Sequence, residues 1–381
     1  MKSGLVCAVV VLASLGCGGS TSGGDAPGAD SGPGPTADTT PNGTDGAPGD
    51  GGDPGGPLSA PDETWTWFDV AGTQCANGTP TGLGVNLTTK SKKLLVYLEG
   101  GGACWDASSC GIPLAANLDG YGPGKFASDI KGAGNRGVFA RGDAANPFKD
   151  YSYVIIPYCT GDVHAGHKDT TYKGSVGLIH HQGYANMTAD LQRIVPTFKD
   201  AESVVLGGSS AGGYGALFNF VQVQEAFGKV HVDLVDDAGP PMRPPYMPLT
   251  LQQKWTDSWG LDTTLPADCT KCNATDGFHN AVPYLSQKYP GHRVSLISSL
   301  QDQTIRNFMG ITPEQMQAGL ADLVDNVLTP SAPDWRVFFV AGQKHTFALD
   351  ALSSTSTNGT TLADFLTKQL SGDPGWANVR P

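Results

Sequence analysis

Ser210, Asp302 and His345 stand in the order serine, acid, histidine, and each follows an apolar run that reads as a strand: VVLGGS, VSLISSL and VFFVAG. A serine hydroxyl is a weak nucleophile near neutral pH. It needs a base to take its proton and a carboxylate to hold that base in the right tautomer. Ser210 is the centre of Gly208-Ser209-Ser210-Ala211-Gly212, a G-x-S-x-G sequence. In that motif a sharp strand-to-helix turn lifts the central side chain into the open, and the flanking glycines avoid the neighbouring backbone. Ser209 fits less well, with Gly207 two places before it but Ala211 two places after. The bland alternative is a glycine-rich turn whose serines bond the backbone. Asp302 and His345, 92 and 135 residues beyond Ser210, argue for chemistry.

Other residues compete for these roles. Asp236 and Asp237 also end a strand-like run, in LVDDAG. Asp302 is favoured as the acid because its strand directly precedes the one that bears the histidine; for Asp237 the expected part is a hydrogen bond to a neighbouring turn. His164, His167, His180 and His181 precede Ser210, out of order for the base. Acyl transfer also needs donors for an oxyanion. The N–H of Ala211, just after the nucleophile, is one. Gly101 and Gly102, in the Gly100–Ala103 loop after KLLVYLE, are the expected others, because that loop lets the backbone approach a substrate.

These residues require a scaffold of parallel strand ends. KLLVYLE (Lys93–Glu99), YSYVIIPYC (Tyr151–Cys159), SVVLGG, VHVDLVDDAG, RVSLISSLQD and WRVFFVAGQ read as strands, while ANMTADLQRIVPTF and GGYGALFNFVQVQEAFG have helical spacing. Near-continuous apolar strands separated by helices imply an α/β domain with a mostly parallel sheet covered on both faces. Ligands of such sheets sit at the carboxyl ends of the strands, where every motif above falls.

The 381-residue chain is not uniform. Residues 1–17 read as a signal peptide: Lys2, then the short apolar run Gly4–Gly16, then Cys17, which is expected to carry a lipid although Ser14-Leu15-Gly16 departs from the usual lipobox. Residues 18–57 contain no Val, Ile, Leu, Met or aromatic residue, but six Asp and no Lys or Arg. Such a segment cannot bury enough apolar surface to order itself and reads as a tether. Residues 58–381 form the catalytic domain. Without Lys2 and the six linker aspartates, 23 basic and 30 acidic residues remain, net −7, which argues against nucleic acid as a partner. No cofactor and no metal is expected, and a monomer is. Six cysteines follow the linker. Cys104/Cys110 and Cys269/Cys272 are near neighbours, leaving Cys75 with Cys159, one of 15 possible connectivities. Cys269 and Cys272, with His279 and His292 nearby, can also be read as a zinc site, a less favoured reading in an exported chain.

Together YLEGGGACW (Tyr97–Trp105), PYCTGDVHAG (Pro157–Gly166), HHQGYAN (His180–Asn186), GGSSAGGYG (Gly207–Gly215), DDAGPP (Asp236–Pro241) and KHTF (Lys344–Phe347) resemble the pectin acetylesterase/Notum family. The resemblance begins near Thr64. It implies an α/β-hydrolase fold and a serine carboxylesterase activity, and the lipoprotein-type signal leads us to expect a bacterial member. It assigns Ser210 as nucleophile, His345 as base, Asp302 as acid, and the glycine run with the Ala211 amide as oxyanion hole. Plant members read GGGWC where this chain has Ala103-Cys104-Trp105 in the reverse Trp–Cys order. Within the family an acetylated polysaccharide such as pectin is the expected substrate. The alternatives are another ester hydrolase on the same fold, such as a lipase or polyester depolymerase, or a tethered glycan-binding protein without activity.

Overall fold

The computed structural model describes residues 56–112 and 114–381. The predicted signal, Cys17 and the linker up to residue 55 lie outside the described residues. In chain order, β1 (Thr66–Asp69), β2 (Gly82–Asn86) and β3 (Lys93–Leu98) precede α1 (Ala107–Gly111) and α2 (Pro123–Ala133). β4 (Ser152–Ile156) leads to a hairpin of β5 (Lys168–Tyr172) and β6 (Gly177–His181). Then come α3 (Gly183–Thr197), β7 (Ser203–Ser209), α4 (Ala211–Phe227), β8 (His231–Asp237), α5 (Leu249–Trp259), α6 (Leu261–Thr264) and α7 (Ala281–Lys288). β9 (Val294–Ser299), α8 (Gln303–Met309) and β10 (Trp335–Val340) follow, and a helix over Leu362–Leu370 closes the domain.

Eight strands form one sheet in the order β1-β2-β4-β3-β7-β8-β9-β10. β1–β2 and β2–β4 pair antiparallel; every other neighbouring pair is parallel. Alternate residues of β3 serve two cores. Leu94, Val96 and Leu98 join one with Met187, Ile194 and Leu217, whereas Leu95 and Tyr97 join another with Phe139 and Phe365. This two-sided burial is why the parallel strands read as unbroken apolar runs. The hairpins at the sheet's antiparallel edge and at β5–β6 are too short and polar to stand out in the sequence. The strand read over Tyr151–Cys159 is confined to Ser152–Ile156, because Pro157 has no N–H to donate to a ladder.

The last two linker residues are described, and the chain is already held there. The Gly56 carbonyl accepts from Arg193 Nε at 2.8 Å, and the Leu58 N–H donates to Thr197 Oγ1 at 2.7 Å, both on α3. Three disulfides, Cys75–Cys159, Cys104–Cys110 and Cys269–Cys272, match the pairing suggested by sequence spacing. The second closes the loop after β3 and the first ties the β1–β2 connection to the end of β4. Cys269 and Cys272 therefore bond each other.

Candidate active site

Because β3, β7, β8, β9 and β10 run parallel, their carboxyl ends gather the Gly100 loop, Ser210, Asp237, Asp302 and His345 at one edge of the sheet. Ser210 caps α4 with φ 59° and ψ −118°, a backbone state that L-residues rarely adopt and that functional turns store as strain. The crowding around it dictates the glycines. A Cβ on Gly208 would lie 2.2 Å from the Gly212 carbonyl, and one on Gly212 would lie 2.0 Å from the Leu98 carbonyl. The turn is anchored from β8, where the Asp237 carbonyl accepts the Ser210 N–H at 2.7 Å. The following helix is apolar on nearly every side and buried through the centre of the domain, so the turn cannot drift.

Asp302 lies just past β9 as the N-cap of α8, fully buried. One carboxylate oxygen accepts the Ile305 N–H at 2.9 Å, and the other meets His345 Nδ1 at 2.8 Å. A carboxylate can only accept from that nitrogen, so Nδ1 carries the proton and Nε2 keeps its lone pair free, the tautomer a general base requires. Nε2 is shielded from solvent and has no hydrogen-bond partner among the described residues, Ser210 Oγ included. Nucleophile–base contacts in unliganded sites commonly tighten only when substrate binds.

The carboxylates of Asp236 and Asp237 are also buried but reach other groups. Asp237 accepts from the Phe347 N–H at 2.9 Å, the Ala348 N–H at 2.8 Å and the Ser209 hydroxyl at 2.6 Å. Burial raises its pKa, opposed by those three donors and by His345. Asp236 accepts from the Gly239 N–H at 2.6 Å, its second oxygen has no partner among the described residues, and burial pushes its pKa up to about 8. Of the second histidine group, His164 is buried and its Nε2 donates to the Glu99 carbonyl at 2.8 Å, which orients the peptide leading into the glycine loop. Burial lowers its pKa, against the opposing pull of the Glu99 carbonyl and Asp162. His180 bonds Asp169, and His181 bonds Tyr172 and the Thr160 carbonyl. His167 lies exposed just before β5.

Gly102, Ser210 and Ala211 line one small cavity. Its walls are Ala103, Val163, Tyr214, Trp255, Ile305, Phe308 and Met309, almost wholly apolar. It leaves about 20 Å³ for the centre of a water-sized body, roughly the space of one water. A Cβ on Gly100 would come within 3.1 Å of Ser210 Cβ, and one on Gly102, whose φ is 77°, within 1.9 Å of the Leu114 carbonyl. Here glycine is required for the loop to approach Ser210 at all. Gly101 lies against Tyr158 and Ala116, outside the cavity wall. Val163, Tyr214, Trp255, Ile305, Phe308 and Met309 were not found by sequence reasoning. On α5, Leu251, Trp255 and Trp259 recur every fourth residue and look like core; nothing in that spacing marks Trp255 as a pocket wall.

A family model described as Pectinacetylesterase matches residues 66–360. Among curated proteins, the palmitoleoyl-protein carboxylesterase notum2 of Xenopus laevis is 30% identical over 151 residues, 39% of this chain and 30% of that one. The palmitoleoyl-protein carboxylesterase NOTUM of Drosophila melanogaster is 26% identical over 292 residues, 68% of this chain and 42% of that one. The chain thus spans from under a third to under half the length of these relatives. The solved structure of the Wnt deacylase Notum from Drosophila, crystal form II, superposes with a TM-score of 0.61 at 19% identity, covering 82% of this chain and 94% of that one. The α/β-hydrolase fold implied by the sequence is therefore shared with a known structure, and with more than three-quarters of its length matched, the chain belongs to the pectinacetylesterase family.

Proposed function

We propose that this protein is a serine carboxylesterase that removes short acyl groups, acetyl above all, through Ser210, His345 and Asp302. Ser210 Oγ attacks the ester carbonyl while His345 Nε2 takes its proton. The N–H groups of Ala211 and Gly102, which line the cavity with Ser210, stabilise the oxyanion. The imidazolium then protonates the leaving alcohol, and water, activated by the same nitrogen, releases the acid from Ser210. The observation that carries this reading is the His345 Nδ1–Asp302 pair at 2.8 Å at the same sheet edge as the strained Ser210 turn.

The acyl preference follows from size. A cavity with about 20 Å³ for a water-sized centre suits the methyl of an acetyl group. The palmitoleoyl group in the relatives' names would need its walls to move apart. An acetylated polysaccharide such as pectin is the natural substrate on this reading, and no cofactor takes part. The purified domain should be assayed on a series of aryl esters from acetate to palmitoleate. The reading expects kcat/KM to fall steadily from acetate; a maximum at long chains would refute the acetyl preference. The three disulfides fit an exported protein, and the reading extends to a bacterial monomer tethered at the cell envelope through a lipid on Cys17. Incorporation of labelled fatty acid that is lost in C17A checks the tether.

A further inference from the structure

We infer that Asp237 and Ser209 form a positioning clamp that ties the nucleophile turn to the histidine loop. Asp237 is the last residue of β8 and pairs in register with Ser209, the last residue of β7. Its main chain and its side chain hold opposite partners. The carbonyl accepts the Ser210 N–H at 2.7 Å. The carboxylate accepts the Phe347 and Ala348 N–H groups, two and three residues beyond His345. The same carboxylate takes the Ser209 hydroxyl at 2.6 Å, and the Tyr97 hydroxyl lies 2.6 Å from Ser209 Oγ. With Ser209 donating to the carboxylate, its oxygen is left to accept from Tyr97, so the chain of donors runs one way: Tyr97 to Ser209 to Asp237. Asp237, Tyr97 and Ser209 are all buried.

Three donors converge on this carboxylate from the backbone of one catalytic segment and the neighbour of the other. Ser210 and His345 belong to loops 135 residues apart in sequence, and Thr346, with φ 64°, sits between His345 and the clamped Phe347. A strained residue beside the base persists only where the surroundings over-determine it, and the Phe347 and Ala348 hydrogen bonds do so. The clamp also gives the second serine of the turn its purpose. Ser209 is there to hold Asp237, not to react.

The inference rests on the esterase reading and is tested on the purified full chain with an aryl acetate. Asp237→Asn keeps the volume but leaves one neutral oxygen for three donors and sets an amide N–H₂ where the second oxygen accepts the Phe347 N–H at 3.1 Å. It is expected to lower kcat roughly 100-fold with KM unchanged within about twofold, the loss that a misplacement near 1 Å brings. Amide hydrogen exchange at Phe347 and Ala348 should rise in the same variant. Ser209→Ala should lower kcat by about tenfold or less, again without a KM change. The double variant should be no slower than Asp237→Asn alone, because both substitutions break one contact. Multiplied losses in the double variant would overturn the clamp, as would an Asp237→Asn enzyme that turns over within twofold of wild type. If Asp237→Asn does not fold, a Ser209→Ala enzyme with altered KM and unchanged kcat overturns it equally. A wild-type chain inactive on every ester would instead remove the esterase reading itself, which separates the two failures.

Discussion

Asp237 and Asp302 end neighbouring parallel strands, both sealed from water, and both direct their carboxylates at the segment that begins with His345. They grip different parts of it. Asp302 lies three residues beyond β9 and shares itself between the start of α8 and the imidazole Nδ1. Asp237 is still within β8, and its side chain meets the main chain of Phe347 and Ala348. One carboxylate bonds the ring itself; the other bonds the main chain of the loop that carries the ring. Residue type, burial and strand-end placement are the same for both. What separates them is the donor each reaches, and a few residues of offset past the strand decide that.

Substitutions can break this comparison in order of expected effect. Ser210→Ala and His345→Ala should each lower kcat about a million-fold, since nucleophile and base act as a unit. Steady-state kinetics on an aryl acetate measures both, and a mild loss in either would leave no triad to compare. Asp302→Asn should cost on the order of ten-thousand-fold, because an amide can stabilise the wrong imidazole tautomer. That figure must exceed the loss in Asp237→Asn. If Asp237→Asn is the inactive enzyme and Asp302→Asn turns over normally, the acid belongs to β8 and the two assignments exchange.

How far these roles could be read from sequence depends on the signal each residue carries. Ser210 was legible because glycine spacing, a preceding apolar strand and a following helix converge on it. Asp302 and His345 were legible through chain order at strand ends. The parallel core was legible because strands buried on both faces are apolar throughout. The partners of Asp237 were not, since Phe347 and Ala348 contribute only backbone N–H groups, and side-chain identity does not encode those contacts. The cavity beside Ser210 was hidden for a related reason. Trp255, Phe308 and Met309 come from helices distant in sequence, and their apolar spacing is the same whether they face a core or a small hole. The short β1–β2 and β5–β6 hairpins lack a long enough alternating pattern to be seen.

Two smaller effects sharpen the picture. Phe308→Ala enlarges the cavity beside Ser210 and should shift the acetate-to-hexanoate ratio of kcat/KM by roughly tenfold toward hexanoate. Chain-length kinetics reads this, and an unchanged ratio would place the acyl group elsewhere. Asp236, one residue before Asp237, supplies a control with almost no catalytic part. Its pKa is raised by burial to about 8, so between about 4 and about 8 the folded protein holds a proton that the unfolded chain releases. Its contribution to stability is thus fully present below about pH 4 and is lost as the pH rises through about 8. Asp236→Asn, which can still accept from Gly239, should leave kcat within about threefold of wild type. Its melting temperature should match wild type near pH 4 and exceed it increasingly toward pH 8. Thermal denaturation across that range checks the sign, and a gap that stays constant as pH rises would show that Asp236 is ionised in the fold.

The central claim is that one of two adjacent serines is the nucleophile, activated by His345. Labelling with a fluorophosphonate followed by peptide mass mapping tests it most directly, because the reagent reacts with an activated serine whatever the natural ester is. The account predicts one adduct, on Ser210, formed also in Ser209→Ala and absent in Ser210→Ala and His345→Ala. An adduct on Ser209, or equal labelling of Ser210 without His345, would contradict it.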